Sequence, residues 1–471
     1  MKKHTQRHLY QVLMMLVIAA LTLSACGGEA ATSTPAAAPP TNTSAPAAAA
    51  TDTTAPAAAA TNTTAPAAAA TDTPAASSGS NFQGTLEYWV LGYNPDNNTG
   101  KLTQSAVEAF KKSHPGIDVE ITGYTGDQAG FTKLTQAVQS GQGVDIFRLP
   151  SDILPLLAKG GFVAPIDDYL TADDKADIYP NILDSVRIDG KAYAWPLWVP
   201  PVGMYLNLDV FKERGVDEPS PDWTYEQFVD IAKKLTFTRA DGTKVYGYSG
   251  VIDAGVVNTW PFIYGDGGRP LSDDNKSYAF DSPGAISGLK KLVDLAQVYH
   301  VTPPEFGSQT PADMVTGFKD KKTLAMYSEP SGSSATYRGA GMNFDVLPMP
   351  IGSIGKHVTT GGVGLISVAQ QSDKTRVQAA MELGRYLTGK QVADDVKGYY
   401  LAPAARKSVK VLDPINKFEP MIDYTFVTPI IEKWPEIRTI IHPNIQNAVF
   451  GKLSPEEAMK GPATEINNLL K

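Results

Sequence analysis

Residues 189–207 read DGKAYAWPLWVPPVGMYLN, and the fold turns on this stretch. Tyr193, Trp195, Trp198 and Tyr205 are set among Pro196, Pro200 and Pro201, with Gly203 close behind. Proline fixes φ and removes an amide donor, so the segment is a stiff, extended crossing and not a helix. Two readings of its aromatics stand side by side. They are the core of a buried strand, or flat apolar faces with polar tips presented to a ligand.

On either side, from residue 81 onward, strands alternate with helices, the pattern of an α/β fold. TLEYWV (85–90) reads as a strand and runs into a polar loop at 92–98. A helix carrying Leu102, Ala106, Ala109 and Phe110 on one side follows, stops at His114-Pro115-Gly116, and gives way to the alternating strand IDVEI (117–121). VDIF (144–147) is a short buried strand leading into Arg148 and the loop Ser151-Asp152. In open α/β sheets, ligands sit at loops following strand carboxyl ends. Trp89, Tyr93, Asp96, Ser151 and Asp152 are therefore candidates, although Asp96 also suits a turn and Ser151 a helix cap. A helix entered from Leu154 ends at Gly160-Gly161. Thr224 and Gln227 form a capping box, with Trp223 placed to staple onto Phe228. Ser282-Pro283 opens another helix, one spans 375–388, and the last begins at Ser454-Pro455. Between them, Trp260 fits either core or site. LAMY (324–327) runs towards Glu329, and Gly361-Gly362 enters the strand of GGVGLISV (361–368) without the lysine or spacing of a phosphate loop.

Composition removes several functions. The chain has 471 residues, 42% apolar and 19% charged, with net charge −8, so it lacks the basic footprint of a nucleic-acid binder. Six scattered histidines and one cysteine give no metal-ligand spacing, no internal disulfide, and no nucleophile motif. No cofactor is expected.

The N-terminus has its own logic. Lys2, Lys3 and Arg7 precede the apolar run 12–23, shorter than the roughly 20 residues that span a bilayer, so residues 1–25 read as a secretory signal. LSAC (23–26) resembles the bacterial lipobox, which makes Cys26 a lipidated N-terminus that anchors without spanning. Residues 26–80 carry near-repeats such as TNTSAPAAAA (41–50) and TDTTAPAAAA (51–60). Too little apolar surface is present to offset ordering entropy, so we expect a flexible to polyproline-like tether.

Six stretches, in order, carry a family resemblance: AFKKSHPGIDVEI (109–121), VDIFRLPSDILPLLAKGGFVAPIDDYL (144–170), DGKAYAWPLWVPPVGMYLNLDVFKERGV (189–216), AFDSPGAISGLKKLVDLAQ (279–297), GGVGLISVAQQSDKTRVQAAMELGRYLTG (361–389) and GKLSPEEAMKGPATEINNLL (451–470). Together they resemble the family-1 extracellular solute-binding proteins of bacterial ABC importers, the maltose-binding-protein group. The resemblance implies a class II periplasmic-binding-protein clamshell: 81–196 with 362–404 as one lobe, and 197–361 with 405–471 as the other. Crossings near Pro196, Gly361 and Ala402 would form the hinge. It implies capture of a sugar or polyol without catalysis, docking of a monomer on permease transmembrane subunits, and residence outside the cytoplasmic membrane or in the periplasm. Carried over to this sequence, Trp195, Trp198, Tyr205, Trp260, Asp266, Glu329, Gly361 and Gly362 would face the cleft with the earlier loops. Two departures matter: sugar-binding members often carry Trp where this chain has Val363, and another after the strand that here leads to Glu329-Pro330. Arg148 either favours an anionic ligand or is an ordinary solvated or salt-bridged charge. A secreted glycoside hydrolase, which needs two carboxylates across a cleft, and a sensory clamshell are the competing functions.

The anchor has a direct check. Intact-mass analysis of the membrane-extracted protein should begin at Cys26 carrying acyl chains, and Cys26→Ala should release the protein from membranes; an unmodified thiol contradicts the lipobox reading.

Overall fold

The computed structural model describes residues 81–125, 128–141 and 143–471; the signal, Cys26 and the tether lie outside them. Ten strands matter for the site: β1 (Gly84–Leu91), β2 (Ile117–Tyr124), β3 (Ile146–Leu149), β4 (Trp195–Trp198), β5 (Val202–Asn207), β6 (Met326–Pro330), β7 (Phe344–Leu347), β8 (Thr359–Gly361), β9 (Gly364–Val368) and β10 (Thr425–Val427). Five of them form a mixed sheet in the order β2-β1-β3-β9-β4, parallel through its first three strands and antiparallel on both sides of β9. A second sheet, β6-β5-β7, is antiparallel throughout.

Two hydrophobic cores correspond to the two sheets. Leu86, Phe110, Phe147, Trp195, Ile366 and Leu383 belong to the first; Met204, Phe228, Trp260, Ile263, Leu289 and Ile441 belong to the second. All six residues of β5 are buried. Side chains alternate across a strand, so Met204 and Leu206 enter the second core, while Tyr205 points into a separate aromatic cluster with Phe318, Tyr327, Tyr337 and Phe418.

The helices form where local chemistry favours them. Asn97 caps the helix Asn98–Ser113 by accepting from the Gly100 amide at 2.8 Å. Thr224 and Gln227 make the expected reciprocal capping box, and the Trp223 ring meets Phe228 edge-on at 5.6 Å. The helix from Leu154 ends at Lys159, before the Gly pair. Beyond Ser454 there are two helices, Pro455–Lys460 and Ala463–Leu469, because Gly461-Pro462 interrupts the run.

The chain changes core three times. Val199 belongs to the first core and Val202 to the second; Val358 belongs to the second and Val363 to the first. The third passage is less abrupt than the other two. Ala404, Ala405 and Val409 pack in the first core, Phe418 and Met421 join the Tyr205 cluster, Ile422 returns to the first core, and Trp434 is the first buried apolar residue beyond it in the second. Strand β10 occupies that passage and pairs in parallel with β8, so two crossing segments run side by side, while Pro201 bridges to Gly361.

Trp195 shows how tightly the first core closes. A Cβ on Gly384, in the helix Lys374–Leu387, would lie 2.7 Å from the Trp195 ring. Gly384→Ala gains about 0.5–1 kcal/mol of helix propensity but incurs about 1–3 kcal/mol of overpacking against a rigid indole. Urea unfolding should therefore show a net loss of roughly 1–2 kcal/mol. An unchanged midpoint would mean that the helix shifts freely over Trp195.

Candidate functional site

Where the crossings meet the first sheet, a depression of about 260 Å³ opens, lined among others by Leu91, Arg148, Ser151, Trp198, Pro200 and Gly362. Leu91 ends β1, and Ser151 follows β3, so the depression lies at the carboxyl ends of parallel strands. Close contacts shape its wall. A Cβ on Gly361 would lie 2.9 Å from the Pro200 carbonyl oxygen, and one on Gly364 would collide with the Trp198 indole. Gly362 faces open space. Trp198 is half-buried, with the Arg148 guanidinium 4.4 Å above its ring centre. Ser151 is no helix cap: neither the turn Ser151–Ile153 nor the following helix has a side-chain cap, and Ser151 is among the residues lining the depression. A larger hollow, about 730 Å³, lies elsewhere beside Asp174, Arg385 and Arg406. There the two arginines are already paired with Asp174, at 2.9 and 2.8 Å, so the smaller depression is the better candidate.

The other expected site residues divide clearly. Trp195, Tyr205 and Trp260 have no exposed surface in this conformation and pack as core, not as cleft platforms. The Tyr205 hydroxyl donates to the Pro330 carbonyl at 2.9 Å, and Trp260 stacks on His442 at 5.0 Å. Asp266 is also committed internally: it accepts from Lys291 at 2.7 Å, Ser287 at 2.6 Å and the Ser353 amide at 2.8 Å. Burial works against its charge, but these donors outweigh it and hold the carboxyl below its ordinary range. Trp89 donates its indole N–H to Gly143, the Tyr93 hydroxyl accepts from Gln104, and Asp96 is exposed in a turn with Asn94; none of them lines the depression. Asp152 reaches the other way, 3.8 Å from Arg438 on the helix Trp434–Val449, and so links the first core's loop to the second core's helix. Leu91 and Pro200 were not among the expected residues, while Arg148, read above as either an anion-binding or an ordinary charge, lines the depression. Arg148 follows buried Phe147 in β3, and the two-residue strand period was the signal that could have pointed it outward.

The family model for bacterial extracellular solute-binding proteins matches residues 105–417. The chain belongs to this family. A Brucella abortus protein described only as a binding protein is 24% identical over 79% of this chain and 90% of its own length. A maltotriose-binding protein of Pyrococcus abyssi is 24% identical over 55% of this chain and 53% of its own. Among solved structures, the cyclic alpha-maltosyl-1,6-maltose binding protein of Arthrobacter globiformis superposes with a TM-score of 0.70 at 21% identity, covering 83% of this chain and all of that one. The ABC substrate-binding protein of Listeria monocytogenes solved with cycloalternan gives 0.67 at 21%, covering 83% and 99%.

In this solute-binding protein, Glu329 is a half-buried carboxyl on β6. It accepts from Asn258 at 2.7 Å and Ser333 at 3.0 Å, and no cation is paired with it among the described residues. Burial pushes its pKa up to about 7. The folded protein thus keeps a proton that an unfolded chain releases. This contribution to stability is full below the ordinary value of 4.5 and is lost as pH rises from there through about 7. Glu329→Gln imitates the neutral acid, so it should raise the melting temperature at pH 8 and leave it nearly unchanged at pH 5. Equal shifts at both pH values would show that Glu329 is not the titrating group.

Proposed function

We propose that this protein is the substrate-binding subunit of an ABC importer. It captures a sugar or related polyol between the two cores and presents it to the transmembrane subunits of a permease. The observation that carries this is the open depression at the strand ends, built on the crossing segments themselves, with a Trp198 ring, a free Ser151 hydroxyl and the exposed Gly362 turn. Apolar faces for stacking together with a few convergent polar groups are what selective capture of a carbohydrate requires. Relatives whose names state maltotriose or a cyclic maltosyl sugar as ligand support the substrate class.

The lobes in this reading follow the cores, with three crossings at 199–202, 358–363 and 425–427. Ligand would favour the closed arrangement through contacts made only there, and the Asp152–Arg438 pair is placed to bridge the lobes on closing. The protein acts as a lipid-anchored monomer outside the cytoplasmic membrane. No helix among the described residues is long and apolar enough to cross it. Two of the carboxylates that hydrolysis could have used, Asp266 and Asp152, are engaged with Lys291 and Arg438, which supports capture without turnover.

Calorimetry over a panel of mono- and oligosaccharides, followed by product analysis, tests this reading. Saturable binding with every sugar recovered intact is expected, and Trp198→Ala should weaken it by about 1–2 kcal/mol through lost apolar contact. Turnover abolished by removing one carboxylate would replace capture with hydrolysis.

A further inference from the structure

Arg148 is chemically unusual in this protein. Every other arginine among the described residues donates to a carboxylate or a backbone carbonyl: Arg187 to Asp167, Arg239 to Glu213, Arg376 to Asp145, Arg385 and Arg406 to Asp174, and Arg338 to Asp413. Arg214 and Arg269 donate to carbonyl oxygens, and Arg438 donates to the Gly255 carbonyl and forms an ion pair with Asp152 at 3.8 Å. The Arg148 guanidinium has neither kind of partner among the described residues. It lies half-buried on the Trp198 ring, in the wall of the depression.

A partly desolvated cation without a counter-charge is costly, and it persists where something compensates. The Trp198 face supplies part of that compensation, with the guanidinium carbon 4.4 Å from the ring centre. It leaves the N–H fork unspent. That fork matches the two oxygens of a carboxylate or phosphate, which an ammonium cannot do in the same way. The neighbouring Ser151 hydroxyl lines the same depression and can donate alongside it. The adjacent carboxylate, Asp152, is turned towards Arg438. The nearby Tyr88 and Tyr124 phenols are neutral at neutral pH, and burial pushes them further from ionising, so neither supplies a counter-charge.

We infer that Arg148 is a specificity-determining residue, and that this protein selects sugars bearing an anionic group, a carboxylate or a phosphate monoester. The inference rests on the sugar-capture reading and narrows it. Pre-stacking on Trp198 lowers the ordering cost of binding, because the long side chain is already held in place.

The experiment titrates the mature, full-length protein with matched pairs: trigalacturonate against its methyl ester, and sugar 6-phosphates against the parent sugars. One acidic member should bind at least about tenfold more tightly than its neutral partner, and whether the uronate or the phosphate does so identifies the source of the anion. Arg148→Gln should bring that ratio below about twofold, while Arg148→Lys keeps part of it. Circular dichroism and melting of both variants verify that they fold. Should Arg148→Gln fail to fold, Arg148→Lys and the salt dependence of wild-type binding carry the test: the acidic ligand's affinity must fall with added NaCl, and the neutral partner's must not. Neutral partners binding as tightly as acidic ones, or a ratio untouched by Arg148→Gln, would overturn the inference and leave sugar capture standing. Binding by no member of any pair, neutral or acidic, would overturn both.

Discussion

Between the two cores, chain segments cross with no space for a side chain between them. Gly361 lies against the Pro200 carbonyl, and Gly364 lies against the Trp198 indole, each closer than a Cβ would permit. These contacts let β9 insert between β3 and β4 and let β8 run beside β10. The rest follows from that close approach. The first sheet is completed by strands from distant parts of the sequence. The two cores are kept apart by short extended links, and the floor of the depression is made of the links themselves.

That placement gives the site its character. A ligand resting on Trp198, Pro200 and the Gly362 turn touches the segments whose torsions must change if the two cores move, so binding and motion would be coupled through the same residues. The binding surface is small in aromatic area. Of the tryptophans and tyrosines in the crossing stretch, Trp195 and Tyr205 are spent on the cores, and Trp198 has one face taken by Arg148. Val363, in the wall of the depression, is itself buried in the first core. In the reading inferred above, the small stacking area is matched by the Arg148 charge, and recognition would rest on directed hydrogen bonds more than on apolar faces.

Much of the fold was legible because its signals are local. Alternation marked β1 and β2, the Thr224–Gln227 box marked a helix start, and the prolines at 196, 200 and 201 marked an extended crossing. The site was legible only in part. An aromatic residue in a strand looks the same in sequence whether it faces a core or a cleft, and the face depends on strand register set by distant partners. Trp195 and Trp198 are three residues apart on β4, yet one lies beneath Gly384 and the other borders the depression. Asp266 was misread for the same reason. Its partners Lys291 and Ser353 come from remote segments, and no local spacing announces them.

The central claim is that ligand binds at the hinge and draws the two cores together. Small-angle X-ray scattering of the protein, alone and saturated with the tightest ligand found by calorimetry, tests it most directly. The account predicts a smaller radius of gyration with ligand, and loss of that contraction in Trp198→Ala at the same ligand concentration. An identical radius with and without saturating ligand would contradict it.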